Sequence, residues 1–179
     1  MTKVRNDGDW HWAREIAEVL LKPIGQRWMH VQGVGEQAKT VARVLPADER
    51  GVLISAAYLH DIGYAPALHR TGCHQLDGAF YLKSLGHARI AELVAHHSSA
   101  RFEVELRGLN AALADFHDER SMVSDALTYC DMTTGPGGEP MSAKQRFSDI
   151  AVRYDTGHVV LAALKQARPD IEQAVKRFE

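Results

Sequence analysis

With 179 residues the chain has the length of one compact domain, and 45% hydrophobic against 25% charged residues is the mix of a folded protein rather than a disordered one. A formal net charge of -2, from 21 basic and 23 acidic side chains, argues against a nucleic-acid-polymer or membrane-surface binder, so an anionic ligand must be met by local charge or by a metal. Two cysteines, Cys73 and Cys130, make neither a disulfide framework nor a zinc ribbon. With no signal peptide and no bilayer-length apolar run, the expected location is cytoplasmic.

Hydrophobic periodicity is helical almost throughout. The first predicted helix runs from Asp9 or Trp10 to about Leu21, with Trp12, Ile16, Val19 and Leu20 on one face, and is followed by Pro23 and Gly25. A second starts near Gln26, carries Val31, Val34, Ala38, Val41 and Leu45, and stops before Pro46. Asp48 is the expected cap of a third, whose unbroken apolar run Val52 to Leu59 implies burial on nearly all sides. Gly63 and Pro66 end it. Further helices are predicted over Gln75–Leu85 and from Ala88 to about Ser98, with weaker segments over Glu103–Phe116 and Ser121–Thr133. After the turn-rich Gly135-Pro136-Gly137-Gly138 come Ser142–Tyr154, Gly157 to about Ala167, and Pro169–Phe178, the last with proline at a favoured helix start. Strand-like alternation and internal repeats are absent, so the expected fold is all-α, a single-domain helical bundle over residues 1–179.

The unusual feature is ten histidines, the commonest metal ligand. With twelve aspartates, they give roughly two-thirds of a His-Asp pair by chance, so one pair alone means little. The chain has two. His117-Asp118 lies among Asp115, Glu119 and Arg120, in what reads as a solvated loop. His60-Asp61 instead closes the apolar third helix, where an ionised carboxylate is costly unless it is paired or bound to a metal. An aspartate at a helix end that simply reaches water is the competing reading. Other positions shift the balance. His30 lies one turn before Val34, with Arg27 a further turn back. Ile90, Leu93, Val94 and His97 follow the i, i+3, i+4, i+7 pattern, which turns His97 inward and His96 about 100° away. Asp131 sits one turn after Leu127, on the face of Val123, Ala126 and Cys130. Inward His and Asp residues on separate helices are the layout of a metal site in a bundle.

The ordered set His30, His60-Asp61-Ile62-Gly63 and distal Asp131 resembles the HD superfamily of metal-dependent phosphohydrolases, whose signature is H…HD…D on an all-helical core. "RWMHVQGVGEQA" is similar to the family's first helix, and "HQLDGAFYL" and "LVAHHS" to the extra histidine segments of two-metal members. The likeness covers about residues 27–154. It implies His30, His60, Asp61 and Asp131 as ligands of a first metal, and His74 and His97 as ligands of a second, with Asp61 bridging. Tyr64 stands where some dinuclear branches have lysine, and the longer cyclic-dinucleotide phosphodiesterase signature is missing, which speaks against a cyclic-dinucleotide substrate.

The implied cofactor is a divalent transition metal, one or two ions, with Fe, Mn, Co, Ni and Zn undistinguished. The implied reaction is hydrolysis of a small phosphorylated metabolite, a nucleotide foremost, by a metal-activated water that Asp61 bridges or orients. Arg27 is the leading phosphate contact, because a guanidinium grips two phosphate oxygens, although a surface arginine near a helix start reads equally well. Arg146, seven residues before Arg153 on one stripe, is the second substrate-binding candidate, with pairing to Asp149 the favoured alternative. Two other functions stay open: an HD-fold di-iron oxygenase, and a non-catalytic metal-binding regulatory module. A homodimer is an expectation for helical domains of this size; no nucleic-acid polymer or membrane partner is expected.

Overall fold

Local signals set many of the helix ends. Asp9 caps the first helix, Ser121 accepts from the amides of Val123 and Ser124, Ser142 and Gln145 form a reciprocal capping box, and His158 caps the last. The structure is a computed structural model and describes residues 6–179. Its helices are α1 Trp10–Leu21, α2 Gln26–Val41, α3 Ala47–Leu59, α4 His74–Ser84, α5 Ala88–His96, α6 Arg101–Leu106, α7 Asn110–Leu113, α8 Met122–Met132, α9 Ala143–Arg153 and α10 Val159–Lys176. Short 3-10 turns join several of them, and among the described residues the sole β feature is one isolated bridge, Thr134 to Pro140. The all-α expectation holds. No helix among the described residues is long and apolar enough to cross a membrane.

The core forms around α3. Every residue from Val52 to Leu59 is buried, and α1, α2, α5 and α8 pack around the helix. The apolar run therefore has no polar face because it has no solvent face. A smaller cluster joins Met132, Ala143 and Phe147 to Ala167, Ile171 and Val175, which fastens α10 over α8 and α9.

Four local expectations need correction. Val19 is 77% exposed, because α1 turns a face of small residues, Ala13 and Ala17 with Leu21, inward, and Trp12 reaches the core from its edge. Asp48 does not cap α3: Pro46 occupies the cap position, and Asp48 and Glu49 lie in the first turn, where they complement the helix dipole. The segment 103–116 is two short helices parted at Gly108, whose φ of +69° breaks the helix. The last two predicted helices are one, with Pro169 inside it. An interior proline costs about 3 kcal/mol. The buried stripe of Leu161, Ala167, Ile171 and Val175 runs across it, and burying each large aliphatic side chain contributes about 1.5–3 kcal/mol, enough to offset the break.

Candidate metal centre

His60 and Asp61 stand just beyond the last turn of α3, so a fully buried helix delivers both side chains to the interior. Asp61 (φ -104°, ψ 6°) starts a 3-10 turn, Ile62–Tyr64, that lays Gly63 against the first turn of α4. A Cβ on Gly63 would lie 1.8 Å from the His74 carbonyl oxygen and 2.7 Å from the Gly78 nitrogen. Only glycine permits that approach, and the approach brings His74 to Asp61, with His74 Nε2 3.3 Å from Asp61 Oδ1. His30 enters from the second turn of α2, His97 from the residue after α5, and Asp131 from the last turn of α8.

Six side chains from five segments thus meet. Their donor atoms form three overlapping groups: His30, His60 and Asp61; His60, His97 and Asp131; and Asp61, His74 and His97, with the atoms of each group within 4.8 Å of one another. All except His74, which is half-buried, are buried. The imidazoles follow one another edge-on, with ring centres 5.5 Å apart for His30 and His60, 5.2 Å for His60 and His97, and 5.4 Å for His97 and His74.

Three of these rings are oriented by main-chain carbonyls. The Nδ1 of His30 donates to Gly135 O at 3.0 Å, that of His60 to Ala57 O at 2.8 Å, and that of His97 to Val94 O at 2.6 Å. A carbonyl only accepts, so the proton belongs on Nδ1 and the Nε2 lone pair faces the centre, as in histidines that bind metals. His60 Nε2 is fully buried without a hydrogen-bond partner. His30 Nε2 sits 3.1 Å from Asp131 Oδ1, two acceptors that need a cation or a proton between them. The donors therefore fit a divalent metal, and imidazole with carboxylate is a transition-metal set.

The electrostatics agree. Burial alone would raise the Asp61 and Asp131 carboxyls, but both lie well below the ordinary carboxylate range. Arg27 and His60 outweigh burial at Asp61, while the His30 hydrogen bond and the His60 charge do so at Asp131. Burial, then the neighbouring His60 and His74, lowers His97 to about 4, leaving a neutral imidazole. At His60 burial works downward but is outweighed by Asp61 and Asp131, so its value is raised.

All six residues expected as metal ligands are brought together. His96 is turned away as phasing required, its Nε2 3.0 Å from Phe116 O. His117 is exposed and Asp118 pairs with Arg120, so the second His-Asp pair lies in an irregular surface segment. Arg27 is no free surface arginine: its Nη1 is 2.6 Å from Asp61 Oδ2, and its guanidinium lies 4.0 Å over the Tyr64 ring. Arg146 does pair with Asp149, at 3.1 Å, yet it is 4% exposed, with Nη2 3.7 Å from Asp131 Oδ1 and 3.5 Å from His30 Nε2. The pairing with Asp149 is as favoured, and the same guanidinium also borders the donor set.

Three contributors carried no usable sequence signal. Ser98 donates to Asp131 Oδ2 at 2.5 Å from a left-handed backbone (φ 50°, ψ 36°). Tyr64 stacks on His74, with ring centres 4.1 Å apart. Gly135 supplies the carbonyl that orients His30, which gives the glycine-rich loop a structural role. Proximity of a glycine-rich turn to a histidine helix is a tertiary fact, and no spacing rule encodes it.

Beside the donors is a cavity of about 100 Å³. Asp61, His74, His97 and Asp131 line one side, and Ile150, Val160 and Leu164 form an apolar wall from α9 and α10. No curated protein and no solved structure matches the chain significantly. The family model for the HD domain matches residues 27–157, well over half of the chain, and contains all six donors. With the buried histidine and aspartate centre inside that span, the chain belongs to the HD domain family.

Proposed function

We propose that the protein is a metal-dependent phosphohydrolase that cleaves a phosphate ester or anhydride of a small metabolite, a nucleotide in the first instance. HD domains are typically metal-dependent phosphohydrolases. The observation that carries the reading here is the set of inward Nε2 atoms, held by main-chain carbonyls around two buried carboxylates. When bound there, a divalent metal supplies a water of lowered pKa and a Lewis acid for the phosphoryl oxygen.

The chain's own residues divide the remaining work. Asp61 belongs to two of the three donor groups, which suits it to bridge them. Its Oδ2 is held by Arg27, and Oδ1 is the oxygen we assign to orienting the attacking water. Arg27 and Arg146 both line the cavity and offer donors to phosphoryl oxygens. The apolar wall of Ile150, Val160 and Leu164 suits the organic body of the substrate and keeps bulk water from that side.

The test is a panel of nucleoside phosphates and an aryl phosphate, assayed with metal-stripped protein and after reconstitution with Mn, Fe, Co, Ni or Zn. Hydrolysis should require metal and be lost in His60→Ala and Asp61→Asn. Hydrolysis that survives both chelation and His60→Ala refutes the proposal. The six-donor set serves a di-iron oxygenase equally well. Two irons per chain with substrate-dependent oxygen uptake would establish that reading instead, and a failure to bind any metal would leave a regulatory module. The guanidiniums beside the centre are what favour a phosphate.

A further inference from the structure

A second cavity, of about 150 Å³, lies next to the metal cavity, between the start of α2 and the glycine-rich loop. Ile24, Gln26 and Pro136 line it on one side, and His30 reaches it from α2. Three residues line both cavities, and all three are arginines: Arg27, Arg146 and Arg153. The partition between the chambers is therefore made of arginine side chains, one from α2 and two that lie seven residues, or two turns, apart on α9.

Their counter-charges are few. Arg27 pairs with Asp61 at 2.6 Å, Arg146 with Asp149 at 3.1 Å, and Arg153 with the same Asp149 oxygen at 2.6 Å. Arg146 also lies 3.7 Å from Asp131. Asp61 and Asp131 are donors of the metal centre, so a cation held there takes over their neutralisation. Among the described residues, Asp149, paired with Arg146 and Arg153, is then the one remaining carboxylate ion-paired with any of the three arginines, which leaves a surplus of positive charge between the two cavities. Arg146 Nε, moreover, is buried with no hydrogen-bond partner, and its side chain is 5% exposed. A buried donor without a partner, on a charged group that borders two cavities, is an interaction still to be made. Phosphate oxygens match it in charge and geometry.

We infer that the partition of Arg27, Arg146 and Arg153 is a second anion subsite, taking a phosphate linked directly to the one at the metal centre, so that the substrate class is a diphosphate. This rests on the phosphohydrolase reading for the occupant of the first cavity. The shared chemistry is a pyrophosphoryl anion, whether free or carried by a nucleoside.

The experiment is calorimetric titration of the full chain loaded with Mn²⁺. The probes are inorganic phosphate, the non-hydrolysable imidodiphosphate, and a nucleoside mono- and diphosphate pair. Wild-type protein should bind imidodiphosphate about tenfold or more tighter than phosphate. Arg153→Gln should reduce that ratio to about threefold or less while phosphate binding stays within about twofold, because Arg27 and Arg146 reach Asp61 and Asp131 whereas Arg153 pairs with Asp149. Chelation of Mn²⁺ by the diphosphate enters both proteins alike and cancels in the comparison. Arg168→Gln, on the exposed face of α10 and paired with Glu172, should keep the wild-type ratio. A larger gain from the nucleoside pair than from imidodiphosphate identifies a nucleoside carrier; equal gains identify the bare anion. Equal binding of phosphate and imidodiphosphate by wild type, or a ratio unchanged in Arg153→Gln, overturns the subsite. Metal-dependent ester hydrolysis with a ratio near one removes the subsite alone. An arginine-dependent ratio in a protein that hydrolyses nothing keeps the subsite and removes the hydrolase.

Discussion

Replacing Ser98 by alanine and by glycine separates two roles of one residue. Its hydroxyl donates to Asp131 Oδ2 at 2.5 Å, which leaves Oδ1 toward His30 and His60, at 3.1 and 3.8 Å. Its backbone is left-handed, and so is that of Ser99. Both variants lose a hydrogen bond to a charged group, about 1.5–3 kcal/mol. Alanine keeps the left-handed cost of about 1–2 kcal/mol, whereas glycine is relieved of it. Greater freedom of glycine in the unfolded chain returns about 0.4–1 kcal/mol of that relief. Glycine should therefore be the more stable variant by about 0.5–1 kcal/mol, or roughly 1–4 °C in Tm for a chain of this size. Metal affinity responds to the hydroxyl alone, so both variants should bind Mn²⁺ about 10–100-fold more weakly than wild type. Thermal melts of metal-free protein and Mn²⁺ titrations read the two effects independently. Wild-type metal affinity in either variant, or a Tm for Ser98→Gly at or below that of Ser98→Ala, would refute this account of the residue.

Four further expectations follow from the same centre. His60 has a raised value in the metal-free protein, so metal binding must expel a proton: affinity should climb with pH through the ordinary histidine value of 6.5 and level off above His60's raised one, and binding heats should differ between buffers of different ionisation enthalpy. Without metal the sign reverses for stability, because the pairing of protonated His60 with Asp61 is fully present below 6.5 and is lost as pH rises through the raised value, which melts across pH 6 to 9 will show. His97→Ala should cost about tenfold or more in metal affinity while His96→Ala changes it little, and equal losses in the two would contradict the inward placement of His97. Gly63→Ala should push α4 outward and reduce the number of ions bound, seen as a lower metal stoichiometry with His30, His60 and Asp131 still competent; an unchanged stoichiometry would contradict the role given to that close approach.

Most of the helices were legible in the sequence, because they rest on short-range rules; helical phase also singled out His30, His60-Asp61, His97 and Asp131, whereas His74 came only with the resemblance to the HD superfamily. Helical period alone turns His97 inward and His96 aside, and it puts Asp131 on the face of Leu127 and Cys130. The apolar run before His60-Asp61 states that the pair ends a buried element, which distinguishes it from His117-Asp118. Tertiary structure decided whatever depends on residues distant in the chain. Pro169 reads locally as a helix start, but packing of Ile171 and Val175 against Met132 and Phe147 carries one helix through it. Arg146 reads as a substrate contact or as a partner of Asp149 three positions on, and only the packing of α9 in the tertiary structure buries it beside His30 and Asp131. Ser98 has no signature, since its hydroxyl meets a carboxylate 33 positions later in the chain. Periodicity, in short, fixes which face of each helix a side chain occupies. Which faces then meet, and so which carbonyl orients His30 or which guanidinium meets which carboxylate, depends on packing between segments as far as 116 residues apart, as for His30 and Arg146.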